Sequence, residues 1–310
     1  MGFVVRCWAE PDVPSLEAAT DTRGGTPLRH PAAPGRWRPG RISPVPDDPP
    51  TLSAGTQDPG RLPTDRVRAP APGRLNALGQ PIGQDVDYSG ASAPTATTLR
   101  GRRVWLVPLR EEHAGDLLTA MRSAGGDELW TYLGFPPCRT TDGLAACLRT
   151  LLGDDGKVFF ALQSLGGPAA GDASLRGSAP VVGMLALQRC DLAMGSVEVA
   201  FVMYGEGARR ATPGTEAIYL VARYVFEDLG FRRLEWKCDA LHAGSRRAAA
   251  RYGFGYEGIW RNAIVVKSRA RDTAWYAMTD HDWALLRPGY EAWLAQCHRA
   301  DCRPLRDFLP

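Results

Sequence analysis

The chain has 310 residues, 44% of them hydrophobic, enough for a substantial core and for one domain with a long tail or two domains. Its 37 basic and 34 acidic residues leave a net charge of only +3, which gives no basis for a general nucleic-acid or membrane-surface binder. No stretch approaches the ~18 uninterrupted apolar residues of a membrane span, and the seven cysteines are odd in number and irregularly spaced, as in a cytoplasmic protein with reduced thiols.

Residues 1–72 are rich in Pro, Gly and Arg, poor in aliphatic residues and without a sustained period. Such a segment cannot bury enough apolar surface to offset its chain entropy, so disorder is expected. It reads either as a genuine tail or as translation from an upstream start, and the absence of any motif or repeat favours the second. Its first residues, MGFVVRCWAEPD, lack the basic and apolar blocks of a signal peptide. The folded region is placed at 73–296, led by a turn-rich arm at Leu75–Gly83.

Val104–Leu109 alternates as a strand. Glu111–Ala124 reads as a helix with Ala114, Leu117, Leu118 and Met121 inward. Trp130, Tyr132 and Phe135 fall in a proline-bounded loop, either as core aromatics or as a wall of a cleft. Thr141–Leu152 is a second helix and Val158–Ser164 a strand; the Gly/Ala/Ser run 166–178 is a surface insertion. Val181–Gln188 and Ser196–Tyr204 form a hairpin. In its second strand Glu198 is a single carboxylate among apolar residues. Buried, it would suit a general base toward an amine; otherwise it pairs with an arginine.

The stretch from Ala208 to Gly258 is the most informative. Ile218, Val221, Ala222, Val225 and Leu229 share one face of a helical period. Pro213 and Gly214 break the preceding chain, Thr215 can cap, Glu216 suits the positive end of the dipole, and Gly230 stops the helix. With Arg209 and Arg210 beside it, this helix start reads either as an anion site or as an ordinary capped helix. The stretch RRLEWKCDA (232–240) alternates Leu234, Trp236 and Cys238 against charged residues, a strand with one apolar face. Ala243–Tyr252 is a short small-residue helix ended by Gly253. His242, just before it, reads as a polar loop residue or an assisting base. Trp260–Val266 and Thr273–Met278 are the last strands, joined by a basic turn. Trp283–Leu294 closes the fold, and a loose tail is expected over 297–310. Cys297, His298 and Cys302 are too few for a zinc site, so no metal is expected.

Gly-Thr-Glu-Ala opening a helix, a strand some 25 residues on, then Ser245 followed by Gly253-Phe254 and Glu257-Gly258 resembles the GNAT superfamily of acetyl-CoA-dependent N-acetyltransferases. The branch it most resembles is the RimJ/RimL type, which acetylates protein N-termini. The resemblance spans roughly Leu99–Leu294. It implies an α/β (α+β) GNAT fold: a mixed, mostly antiparallel twisted sheet, splayed in the middle and flanked by helices. It implies acetyl-CoA as cosubstrate and a primary amine as acceptor, on a protein N-terminus or a small molecule, with no metal, nucleic acid or membrane and as a monomer or homodimer. Carried over by motif, Arg209, Thr212 and Gly214 occupy the pyrophosphate loop, with Arg210 and Thr215 beside them. Phe201, Val202 and Met203 fall at a strand bulge whose amides meet the cofactor. Ser245 is a candidate acid toward the CoA thiolate, Glu198 the first candidate base and His242 the second. Four positions depart from the pattern: Thr212 stands for a glycine, His242 for an asparagine, Ala249 for a tyrosine and Ile264 for a glutamate. These departures keep a second reading open, a catalytically weak acyl-CoA-binding module with a regulatory or scaffolding role.

Overall fold

The structure, a computed structural model, describes residue 65 and residues 73–165, 179–297 and 303–310. Every described residue lies in one compact unit, within Gln57–Pro310. The disorder expected of 1–72, Asp65 apart, and the insertion at 166–178 lie outside the described residues, as do His298 and Cys302.

The leading arm is a small antiparallel ribbon of β1 (Arg74–Leu75) and β2 (Pro81–Ile82). Eight further strands form one sheet: β3 (Leu99–Arg100), β4 (Val104–Pro108), β5 (Lys157–Ser164), β6 (Val181–Asp191), β7 (Ser196–Tyr204), β8 (Arg233–Asp239), β9 (Gly255–Val266) and β10 (Arg269–Thr279). Their order is β3-β4-β5-β6-β7-β8-β10-β9. Every neighbouring pair is antiparallel except β7 and β8. The α/β GNAT fold expected from the sequence is therefore present.

Helices cover both faces. On one, α3 (Thr212–Arg223) packs Ile218, Val221 and Ala222 with Leu106, Leu187, Val197 and Leu234, joined by Ala249 of α4 (Ala243–Arg251) and Leu286 of α5 (Asp280–Gln296). On the other, α1 (Ala114–Ala124) and α2 (Thr141–Leu152) bury Leu117, Met121 and Leu148 with Phe159, Met184 and Met203.

The parallel pair decides the architecture of the site. β7 and β8 pair only from Ser196↔Arg233 to Val199↔Trp236. Beyond that, β7 stays with β6 as far as Tyr204↔Gly183, and β8 stays with β10 as far as Asp239↔Thr273. The two halves of the sheet part into a wedge.

Three expectations change. First, the N-cap of α3 is Ala211, not Thr215, and the helix begins at Thr212. Pro213 is not a breaker here: within the first turn its missing N–H and fixed φ suit a helix. Thr215 is consequently inside the helix and buried. Glu216 does not face solvent at the dipole; both its oxygens accept backbone N–H groups, from Arg102 (2.7 Å) and Arg103 (2.8 Å), which ties the β3–β4 turn to α3. Secondly, α3 ends in a π-helical turn, Tyr224–Asp228, before Gly230 at φ 75°. Thirdly, residues 303–310 are packed rather than loose. Leu305 is buried, Trp293 Nε1 donates to the Arg303 carbonyl (3.0 Å), and a Cβ on Gly289 would meet the Phe308 carbonyl oxygen at 2.2 Å.

Candidate active site

The wedge has a distorted wall. Met184 of β6 pairs with Met203 and Ala186 with Ala200, so β7 spends three residue steps where β6 spends two. This is a bulge, which leaves one residue's backbone out of the ladder. Phe201 absorbs it at φ 50°, a conformation costly for a side chain of this size. Its ring is held edge-on against Phe159 at 5.3 Å. The bulge falls within Phe201–Met203, where the family resemblance placed it.

One end of the wedge leads to the start of α3. No side chain caps this helix, and the amides of Arg210, Thr212 and Gly214 find no acceptor among the described residues. Unpaired N–H groups at the positive end of a helix suit an anion. Arg210, at φ 58°, is exposed and makes no ion pair among the described residues. Arg209 is differently employed: its Nη1 donates to the Ala124 carbonyl at the end of α1 (2.7 Å). Gly214 is required by close approach, since a Cβ would lie 2.2 Å from the Ala208 oxygen. Gly214→Ala should therefore cost about 1–3 kcal/mol by overpacking, read as a lowered melting temperature. Thr215 Oγ1 accepts from Arg251 Nη1 (3.2 Å), and Arg251 Nη2 donates to Tyr252 Oη (2.8 Å). Thr215 thus couples α3 to α4 and does not cap.

The start of α4 stands at the far end of β8. Ser245 Oγ accepts from Trp236 Nε1 (3.0 Å), and its hydroxyl is within hydrogen-bond reach of the Cys238 thiol. The neighbouring Cys238 thiol is pushed up to about 11 by burial and stays protonated, a core residue as the sequence suggested. His242 is the N-cap of α4: its Nδ1 accepts from the Ser245 N–H (3.4 Å), and its ring stacks on Tyr132 at 4.3 Å and 11°. Burial, with the charges of Arg209, Arg271 and Arg247, holds His242 below the ordinary histidine range; Asp239 opposes them. With Nδ1 engaged as acceptor, the neutral ring carries its proton on Nε2. Its open nitrogen is a donor, the wrong polarity for a base.

The depressed pKa has a testable consequence. A group depressed in the folded state contributes stability above its unfolded value, lost as pH falls through the folded one. As pH falls below about 6.5, the wild-type melting temperature should drop more steeply than that of His242→Asn, whose amide oxygen caps at every pH.

Glu198 is buried, 6% exposed, and also paired. Lys237 Nζ donates to its Oε2 at 3.1 Å, and Arg189 Nε lies 3.6 Å away. Lys237 also meets Glu235 (2.7 Å) and sits 3.9 Å above the Trp275 ring. The loop aromatics divide between the two readings: Trp130 and Phe135 are core, 5.6 Å apart edge to face, while Tyr132 reaches the site. Lys267, in the β9–β10 turn, donates to the Trp130 carbonyl (2.8 Å), closing the turn onto this loop. Ala249 is fully buried and Ile264 half exposed. Lys237, Trp275, Arg271 and the Tyr132–His242 stack escaped sequence reasoning. The alternation of β8 put Lys237 on its polar face, but the parallel partner that brings Glu198 to it was not readable.

Comparison with known proteins decides the family. Residues 103–255 match the family model described as an acetyltransferase (GNAT) domain. The crystal structure of a GCN5-related N-acetyltransferase from Brucella melitensis is 33% identical, with a TM-score of 0.64, covering 72% of this chain and 98% of that one. The chain belongs to the GNAT family of acetyltransferases. A second structure, described as a probable acetyltransferase of the GNAT family from Chromobacterium violaceum ATCC 12472, is 28% identical with a TM-score of 0.57 and covers 66% of this chain and 99% of that one. No curated protein matches. The family match takes in the β7 bulge, the α3 start and α4 of this GNAT domain, and stops at Gly255, before Lys267, Arg271 and Trp275. Among the described residues no helix is long and apolar enough to cross a membrane.

Proposed function

We propose that the protein moves an acetyl group from acetyl-CoA to a primary amine by direct attack. The observation that carries this reading is the wedge itself, with a left-handed bulge at Phe201 on one wall, Ser245 at the end of the other, and the uncapped start of α3 beyond. The free amides of Arg210, Thr212 and Gly214, with the Arg210 side chain, would hold the pyrophosphate. The wedge would take the pantetheine arm and its thioester. Backbone N–H groups of Phe201–Met203 would face the oxygen on which negative charge develops.

The remaining chemistry is proton traffic. The attacking amine must be neutral, and the departing sulfur needs a proton. The Ser245 hydroxyl, accepting from Trp236, would donate to that sulfur as the C–S bond breaks, in place of its contact with the Cys238 thiol. Glu198 lies three residues before the bulge, about 10 Å along the strand. That is too far for direct abstraction and suits a relay through water. His242 holds the Tyr132 loop and the start of α4 and, as a donor, orients groups without taking protons. The RimJ/RimL-type resemblance supports a protein N-terminus as acceptor, and the same wedge admits a small amine.

The test is acetyl-CoA titration of the full chain by calorimetry, with Arg210→Glu as control. Saturable binding weakened at least roughly tenfold by the charge reversal, or ~1.4 kcal/mol, is expected. No binding would sink the reading. Binding without transfer to any amine would favour the acyl-CoA-binding module instead.

A further inference from the structure

Two polar atoms on β10 are buried with no hydrogen-bond partner among the described residues, Arg271 Nε and Trp275 Nε1. Arg271, Thr273 and Trp275 alternate onto one face of β10, since the register shift between Arg271 and Thr273 is taken up by β9, which runs from Ile264 to Trp260 across the same two steps. That face is the one bearing the candidate base. Trp275 pairs across from Lys237, whose ammonium lies over its ring and donates to Glu198.

Arg271 stands at the open end of the wedge. Thr273 pairs with Asp239, the last residue of β8, and Arg271 lies two residues further on, about 7 Å along the strand. Counted from the last paired residues, Val199 and Trp236, Asp239 is three residues along one wall of the wedge and Val202, in the β7 bulge, three along the other. Arg271 is therefore one short step past the place where the thioester would lie. Its charge bears on both His242 and Cys238, at the start of α4. It has no ion pair among the described residues, and its neighbour Asp272 is engaged by the Asn262 N–H (2.7 Å). Around His242 the guanidiniums of Arg209, Arg247 and Arg271 act against the single carboxylate of Asp239.

A half-buried guanidinium with an unmet donor and no carboxylate calls for an anion from outside the chain. We infer that Arg271 binds a carboxylate of the acceptor, and that the acceptor is a small amine carrying a carboxylate within a few bonds of its amino group, the class of amino acids. This rests on the acyl-transfer reading above and narrows it. A polyamine would bring a second cation against Arg271. A carboxylate there fixes the amine beside the bulge, so that attack on the thioester carbonyl forms the amide bond, the C–S bond breaks, and the proton lost by nitrogen leaves toward Glu198. The other anion that could reach this arginine is a phosphate of the cosubstrate, and the experiment separates the two.

The experiment uses the full chain with acetyl-CoA and follows thiol release and acetylated product. The acceptors are a panel of free amino acids, the carboxamide of each, and spermidine. The expected result is a kcat/KM for the best amino acid about 10–100-fold above that for its carboxamide. Arg271→Gln should erase the difference by raising KM for the acid, leaving the rate on the carboxamide and the Kd for acetyl-CoA unchanged. Arg271→Lys should restore part of it. Equal or faster reaction of the carboxamide or of spermidine overturns the inference and leaves the acyl-transfer reading standing. An acetyl-CoA affinity lost in Arg271→Gln would assign the arginine to the cosubstrate's phosphates and overturn it too. Acetyl-CoA binding with no acetylation of any amine overturns both.

Discussion

Glu198→Gln should lower kcat by roughly 10²–10⁴-fold while leaving the affinity for acetyl-CoA unchanged. The substitution is nearly isosteric, and the new amide oxygen can still accept from Lys237 Nζ, which lies 3.1 Å from Oε2 in the native pair. What it removes is a group that can take a proton. It also leaves Lys237 shared between Glu235 at 2.7 Å and the face of Trp275 at 3.9 Å, so the lysine keeps one carboxylate and its aromatic neighbour. Folding should therefore survive, and a melting curve within a few degrees of wild type is the control. Lys237→Met separates base from ion pair. If Glu198 acts only as the partner of Lys237, the two variants should lose activity together and to the same extent. If Glu198 relays the proton, Lys237→Met should retain most of kcat with an altered pH profile. A Glu198→Gln enzyme with wild-type kcat would move the relay elsewhere.

The parts of this site that local pattern determines were readable, and the parts made by pairing at a distance were not. Leu234, Trp236 and Cys238 alternate on β8, and all three are buried as the period requires. The bulge at Phe201–Met203 was placed by resemblance, and the register shift and the positive φ of Phe201 coincide with it. The start of α3 was misplaced by four residues, from an Ala211 cap to a Thr215 cap, because proline was read as a stop, although at the second helical position it satisfies the helix as well as any residue. The Glu198–Lys237 pair depends on a parallel contact between strands that a helix separates in the chain. No period within either strand reports it. Cys138 and Cys147, only nine residues apart, bring their sulfurs to 2.9 Å, a local contact that the irregular cysteine spacing did not announce. His242 illustrates a different limit. Its type suggested a base, while its role follows from which nitrogen faces the Ser245 amide.

The most distant of these contacts carries the largest stability effect. Arg246 of α4 is buried, with its side chain 1% exposed, against Asp65, which is 0% exposed, at 2.6 Å. Tyr276 completes the cluster: Arg246 Nε donates to its hydroxyl (3.0 Å), and the hydroxyl donates to Asp65 Oδ1 (3.0 Å). Arg246 Nη1 donates to the Ala240 carbonyl at the end of β8 (3.2 Å). Asp65 lies in the segment that composition marks as unable to fold, 181 residues from its partner. Removing one member of a buried ion pair leaves the other desolvated and uncompensated, a cost of about 3–5 kcal/mol. Asp65→Ala should therefore lower the melting temperature on the order of 10 °C, and deletion of residues 1–72 should do the same. The double variant Asp65→Ala/Arg246→Met should recover most of the loss, because an apolar side chain needs no partner there. Equal stability of Asp65→Ala and wild type would show that the acidic partner is dispensable. The cluster also bears on chemistry: Arg246 is adjacent to Ser245 and braces the end of β8 on which α4 begins. Loss of Asp65 should accordingly reduce kcat at temperatures well below the melting transition, and Arg246→Met should restore rate and stability together.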